Sequence, residues 1–215
     1  MTAKTIIITS LLLIFFSCKQ EKIAPDFEES ENQFNIPCTT GSYWIYEWHS
    51  IDSNGIETSY GALDSIYISG DTIINNLDYT VYKGTWLGNK NYIHMQRDSS
   101  GFAISHRGII QYSYDNFNDT LTKGSVSTMW NWHLQMFNHI DINVPAGVFN
   151  SIEARKYYYD QQGGSANKCK DDYFTLSSWY VDGIGKVEEK TGFSNDLFNC
   201  RAHLESRLIR YHIAE

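Results

Sequence analysis

Seven histidines, two pairs of adjacent carboxylates and one Asn/Asp-rich stretch carry the side chains suited to proton transfer or metal binding. The histidines are His49, His94, His106, His133, His139, His203 and His212, and no two form an HxH or HExxH pair. Zinc sites recognisable from sequence need ligands at such short spacings. His133 and His139 are six apart and are expected on different strands. Asp171-Asp172 and Glu188-Glu189 are chain neighbours. Neighbours on a strand point to opposite faces, so neither pair can grip one substrate together, and both read as solvated charges. "DNFNDT" at 115–120 gathers Asp115, Asn116, Asn118 and Asp119. These are oxygen ligands of the kind calcium takes, but the simpler reading is an Asx-rich turn. There is no GxSxG elbow to expose a serine, and "QQGGSANK" lacks the spacing of a phosphate-cradling loop. No catalytic residue, metal ligand or cofactor is assigned, and the chain reads as non-enzymatic.

Aromatic side chains offer binding chemistry instead. Trp44, Trp130, Trp132 and Trp179 are candidates to face an apolar or sugar ligand, since aromatic rings combine a large apolar face with a directional edge. The simpler reading of the same four is plain core.

What positions these residues depends first on the N-terminus. Lys4 precedes an apolar run from Ile6 to Phe16, interrupted only by Thr9 and Ser10. About 11 residues are too few for a membrane-spanning helix, which needs roughly 20. A positive start and a short apolar run are the layout of an export signal. The run ends in "FFSC", which resembles the lipobox of bacterial lipoproteins. The resemblance implies cleavage before Cys18, acylation of that residue and a firm hold on the membrane, since several acyl chains exceed the two-signal requirement for stable anchoring. Lys19, where an Asp would imply retention at the inner membrane, implies the outer membrane, with the periplasmic or cell-surface face undecided.

Residues 1–17 are thus read as a signal peptide, 18–39 as a lipidated tether and 40–215 as one domain. The chain has 17 basic and 25 acidic residues; removing residues 1–17 removes Lys4 alone, so 16 minus 25 gives a formal charge of −9. An acidic domain is a poor match for nucleic acid, whose affinity rests on phosphate neutralisation. The acyl anchor, not the protein surface, must hold the membrane. The expected partners are the membrane through that anchor and an unidentified small ligand or envelope protein.

From Thr40 onward the pattern is alternation broken by turn residues. "SYWIYEWHS" places Trp44, Tyr46 and Trp48 on one face of a strand. Turns are predicted at Asn54-Gly55 (type I′), Gly70-Asp71, Asn75-Asn76, Gly88-Asn89, Ser99–Gly101, Arg107-Gly108, Pro145–Gly147 and Asp182-Gly183, the last as a two-residue hairpin. Strands are predicted at roughly 57–69, 78–86, 91–97, 102–106, 109–115, 128–136, 139–144, 149–159, 172–182, 185–190 and 201–212. The fold class is all-β, a single antiparallel meander of about a dozen strands curled into a barrel or half-barrel, because so wide a sheet does not stay open and flat. In such a meander Cys169 and Cys200 flank strands at the same sheet end, which makes them the expected disulfide; Cys38 is left as a lone thiol.

In "YFTLSSWYVDGIG", Trp179 shares a face with Thr175, Ser177 and Val181, and Tyr180 shares the other with Phe174, Leu176 and Ser178. Both faces are half apolar. Such mixture fits an aromatic, partly polar interior able to hold a ligand, or merely tyrosines that suit strands. Finally, "INVPAGVFNSIEARKYYY", "SSWYVDGIGKVEEKTG" and "ISGDTIINNLDYTVYKG" resemble segments of a broad group of Bacteroidota lipoproteins. The resemblance implies a strongly curved antiparallel sheet, related in shape to lipoprotein carriers or lipocalin-like barrels, and brings no catalytic residues. "DSI", "DTI" and "DTL" resemble the O-glycosylation signal of exported proteins in that phylum, which would put glycans on Ser65, Thr72 and Thr120.

Overall fold

Alternating side chains and reversing turns fold this chain into one antiparallel sheet, seen in a computed structural model that describes residues 35–126, 130–160, 174–192 and 203–215. The strands are β1 (Tyr43–Ile51), β2 (Glu57–Ile74), β3 (Leu77–Trp86), β4 (Asn89–Ser99), β5 (Phe102–Ser105), β6 (Ile110–Ser113), β7 (Thr120–Val126), β8 (Trp130–Val144), β9 (Gly147–Asp160), β10 (Phe174–Val181), β11 (Gly185–Thr191) and β12 (His203–His212). Their order is β6-β5-β4-β3-β2-β1-β12-β11-β10-β9-β8-β7. Each strand pairs with its chain neighbours except at β6 and β7, and the first also pairs with the last: Tyr46 stands opposite Leu208, and His49 opposite Glu205. The ladder therefore runs around a nearly closed barrel. Its one seam lies between β6 and β7, which approach each other without a ladder.

The expected meander is present, with local differences. Gly70-Asp71 does not reverse the chain. It is a bulge inside the long β2, where pairing slips between Ile68 and Gly70. The reversal comes at Asn75-Asn76, both at positive φ (52° and 61°), the dihedrals of a type I′ turn. Asn54-Gly55 is no such turn, because Gly55 alone has positive φ there. Asp52 organises that loop instead: its Oδ1 accepts from Asn54 N and Ile56 N, both at 2.8 Å. The hairpin after Val181 has three loop residues, not two, since Val181 pairs with Gly185. The runs 128–136 and 139–144 are one strand, β8, whose register shifts between Phe137 and Ile140. His133 and His139 thus share a strand. β7 was not anticipated, because "TLTKGSV" is polar and carries a glycine. That glycine has a reason: Gly124 stands opposite Trp132, and a Cβ there would lie 2.7 Å from the indole.

Two apolar clusters form among the described residues. One joins Trp44, Tyr46, Ile66, Ile68, Val144, Trp179, Val187 and Leu208. The other joins Ala103, Tyr112, Leu134, Met136, Ile152 and Ala154. The Pro145–Gly147 turn reaches β12, where Ala146 N donates to Leu208 O at 3.0 Å. That carbonyl lies at a bulge, where β1 pairs with Leu208 and Arg210 and skips Ile209.

Candidate functional site

Strand alternation aims one set of side chains into the barrel. On β1 and β3 these include Trp44, Tyr46, Tyr82 and Trp86; on β4, Tyr92, His94 and Gln96; on β6, Tyr112; on β10, Tyr180. Two bulges add residues that simple parity would send elsewhere. Gln111 is the extra residue where Ile104 pairs with Ile110 and Ala103 with Tyr112. Val187 is the extra residue where Tyr180 pairs with Lys186 and Trp179 with Glu188, so Lys186 and Glu189 come to share the inner face. A bulge re-aims a side chain in this way. These residues enclose a cavity of about 220 Å³. A second chamber of about 110 Å³, lined by Leu134, Ala154, Lys156, Leu176 and Ser178, shares Gln111, Tyr180, Lys186 and Glu189 with the first.

The walls are held by ring contacts and by hydrogen bonds to backbone. Trp86 meets Tyr46 edge-on at 5.4 Å and Trp48 at 5.2 Å between ring centroids. Tyr112 and Tyr180 lie ring over ring at 3.8 Å, joining β6 to β10 through the interior. Trp44 Nε1 donates to Ile184 O at 2.7 Å and Tyr46 Oη to Lys186 O at 2.8 Å. Gln96 Nε2 donates to Tyr112 Oη at 3.0 Å. Trp48 Nε1 and Leu87 N both donate to the buried Asp64 Oδ2, at 2.5 and 2.6 Å. Lys186 pairs with Glu189, and its ammonium sits 4.1 Å from the Trp86 ring centre.

Burial sets the protonation of this interior. It pushes the phenols of Tyr46, Tyr82, Tyr92, Tyr112 and Tyr180 above their ordinary value, so they stay neutral donors. It pulls His94 down to about 4, with Lys186 and His106 adding to the effect and the Gln96 hydrogen bond opposing it. Lys156 is likewise lowered by burial.

One end of the barrel is crossed by residues assigned from sequence to the tether. Asn35 N donates to Asp182 Oδ1 at 2.7 Å, and Gly183 N donates to Asn35 O at 3.0 Å. Ile36 packs on the second apolar cluster, and Tyr82 Oη donates to Pro37 O at 2.7 Å. Pro37 is buried and lines the larger chamber. Order on the barrel therefore begins by residue 35, earlier than residue 40. Cys38 next to it is exposed.

A second polar cluster lies on the outer face. Arg207 bridges Glu57 and Glu205, His203 and Lys190 also reach Glu205, and His49 Nδ1 lies 2.8 Å from Glu57 Oε1. Burial raises Glu205, but the hydrogen bonds from His203 and Arg207 and the nearby cations outweigh it and hold the group down to about 2. Glu188 is pushed up by burial and by Glu205. Glu188 and Glu189 do face opposite ways, but neither is a solvated charge: the first is buried outside the barrel, and the second is paired within it. Farther along, Arg155 lies 4.2 Å over Phe137 and forks onto Glu153 at 2.6 and 2.7 Å.

Of the four tryptophans singled out from sequence, Trp44 lines the larger chamber, but it is buried and hydrogen-bonded as part of the core. Trp130 and Trp132 are half-buried and line neither chamber; Lys156 lies 5.1 Å over Trp132. Trp179 neighbours the inward Tyr180 on a regular strand, so it faces away from the lumen, where Lys190 sits 5.2 Å over its ring. The aromatics that do face the space are Trp86 and the tyrosines. Alternation through "YTVYKGTW" and "NYIHMQ" marks them as sharing a face, but nothing local says that this face is the inner one. "DNFNDT" forms an Asx turn: Asn116 Oδ1 accepts from Asp119 N at 3.1 Å, and its amide donates to Asp119 Oδ2 at 3.0 Å. Ser65 and Thr120 are exposed and Thr72 is half-buried. Cys18, Cys169, Cys200, Asp171 and Asp172 lie outside the described residues. Thr191 and Leu204, on the two sides of the segment that holds Cys200, pair with each other.

No family model and no curated protein matches the chain. Two solved structures are similar. A protein of Bacteroides fragilis, provisionally described as exported and of YmcC-like fold, is 13% identical; the match covers 83% of this chain and 99% of that one, with a TM-score of 0.49. A protein of Parabacteroides distasonis, provisionally described as a lipoprotein, is 12% identical over 85% of this chain and 100% of its own, with a TM-score of 0.46.

Proposed function

We propose that this chain is a lipoprotein of the bacterial envelope, anchored through Cys18 at the outer membrane, whose barrel binds a small glycan without catalysis. The lumen wall carries the reading. Trp86, Tyr46, Tyr92 and Tyr180 offer ring faces and edges, while His94, Gln96, Gln111 and Lys186 offer hydrogen-bonding groups into the same space. Among the two ligand classes that aromatics suit, this mixture favours sugars. Gln96, Gln111 and Lys186 already hold partners in the protein, but each keeps further donors or acceptors that sugar hydroxyls can meet and an acyl chain cannot. The larger chamber, at about 220 Å³, is also below the roughly 300 Å³ at which pockets for drug-sized ligands begin. It suits one or two sugar rings.

The test is titration of the mature lipoprotein in detergent while tryptophan emission is read. Mono- and disaccharides should shift the emission, laurate should not, and Trp86→Phe should remove most of the response. A flat response to every sugar would overturn the reading. Globomycin treatment should leave the chain diacylated on Cys18 but uncleaved, and a Cys18→Ala change should leave it unlipidated; lipid found on the variant would overturn the anchor.

One observation favours docking of an envelope protein instead. The outer face of β2–β4 exposes Leu63, Tyr67 and Ile93, with Tyr67 and Ile93 both paired across to Lys83. Cross-linking in intact cells should then capture one stoichiometric partner that Ile93→Asp releases.

A further inference from the structure

The smaller chamber holds more positive charge than it neutralises. Two lysines of the inner face meet there, Lys156 on β9 and Lys186 on β11, with a single carboxylate, Glu189. Lys186 takes that carboxylate. Lys190, which also borders the chamber, pairs with Glu205 at 3.2 Å. Lys156 alone has no carboxylate within ion-pair distance among the described residues; its ammonium has only the face of Trp132, 5.1 Å away. Register places it firmly inside, opposite Leu134 on one side and Leu176 on the other, both in the interior wall. A half-buried ammonium between two leucines and an indole, with the nearby Glu189 already committed to Lys186, gains when something anionic joins it.

The surroundings define that anion. Ser178 and Gln111 line the same chamber and can donate to an oxygen. Tyr180, Gln111, Lys186 and Glu189 border both chambers, so a group seated at Lys156 continues directly into the aromatic space. Two ammoniums against one carboxylate leave one net positive charge, which matches a monoanion. A phosphate ester, at about −1.5 to −2, would overshoot it. We infer that the lumen takes a sugar acid, with the pyranose ring against Trp86 and the tyrosines and the carboxylate on Lys156. This inference rests on the glycan reading of the barrel and narrows it. Burial, which lowers Lys156 from its ordinary value while Glu189 opposes the shift, is the strain that such a carboxylate relieves.

Calorimetric titration of the mature lipoprotein with glucuronate, glucose and glucose 6-phosphate tests it. Glucuronate should bind at least tenfold more tightly than either of the others. Lys156→Met, which keeps an apolar stem on Trp132, should bring glucuronate to the level of glucose. Lys156→Arg should keep the preference. Glu189→Gln, which raises the net charge of the chamber, should strengthen glucuronate binding, and it serves as an independent variant if Lys156→Met fails to fold. Equal affinity for glucuronate and glucose would overturn the inference while leaving the glycan site standing, as would a preference that survives in Lys156→Met. Tighter binding of the phosphate would overturn it in favour of a dianion. No binding of any sugar would overturn both readings.

Discussion

His94 offers a direct measure of how dry the lumen wall is. Its imidazole is drawn from 6.5 to about 4, chiefly by burial. The sign follows from linkage. As pH falls through 6.5 the unfolded chain takes up a proton, while the folded chain does not until about pH 4. The contribution of His94 is therefore complete above pH 6.5 and is lost progressively as pH falls toward 4. At about 1.4 kcal/mol per pH unit, a gap of about 2.5 units corresponds to about 3 kcal/mol lost by pH 4. For a domain of this size that is roughly 6–12 °C in Tm. The assay is thermal melting by circular dichroism at pH 7, 6, 5 and 4.5, for the wild type and for His94→Gln, which keeps a polar side chain but cannot titrate. The wild type should lose stability across this window faster than the variant. His133, also lowered by burial, acts in the same window in both proteins and cancels from the difference. Glu205, held down to about 2, loses its contribution as pH falls below the ordinary carboxylate range, mostly beneath the window. Parallel curves for the two proteins between pH 6.5 and 4.5 would refute a desolvated His94, and with it the dry wall.

Three further outcomes follow from local geometry. Gly84→Ala should cost more than about 3 kcal/mol in urea titration, a size confined to a few severe mechanisms, because its Cβ would fall 1.8 Å from Ser65 O at a φ of +147°. Asp64→Ala should cost about 2–5 kcal/mol, since it strands the Trp48 Nε1–H and Leu87 N–H donors, and Asp64→Asn should recover part of it. Intact mass of the native lipoprotein should exceed chain plus lipid if Ser65, Thr72 or Thr120 carries glycans, and Thr120→Ala should then remove one increment; a mass equal to chain plus lipid ends that idea.

The amino-acid sequence alone determined the fold class and the rhythm of the strands, because alternation and turn chemistry are local. A side chain's parity along a strand needs no knowledge of the partner, so Tyr180 and Trp179 could be placed on opposite faces from the residue order. Which of those faces looks inward is decided by curvature, a property of the whole sheet, and this is why Trp179 was credited to the ligand and Trp86 was overlooked. Bulges changed parity where no residue type announced it: Val187 brings Lys186 and Glu189 onto one face, and Gln111 is turned toward the cavity by a pairing slip. The closure of β1 on β12 joins residues about 160 positions apart. Only the tertiary structure could bring β4, β9, β10 and β11 around one space and leave Lys156 there without a carboxylate of its own, since that space belongs to no segment by itself.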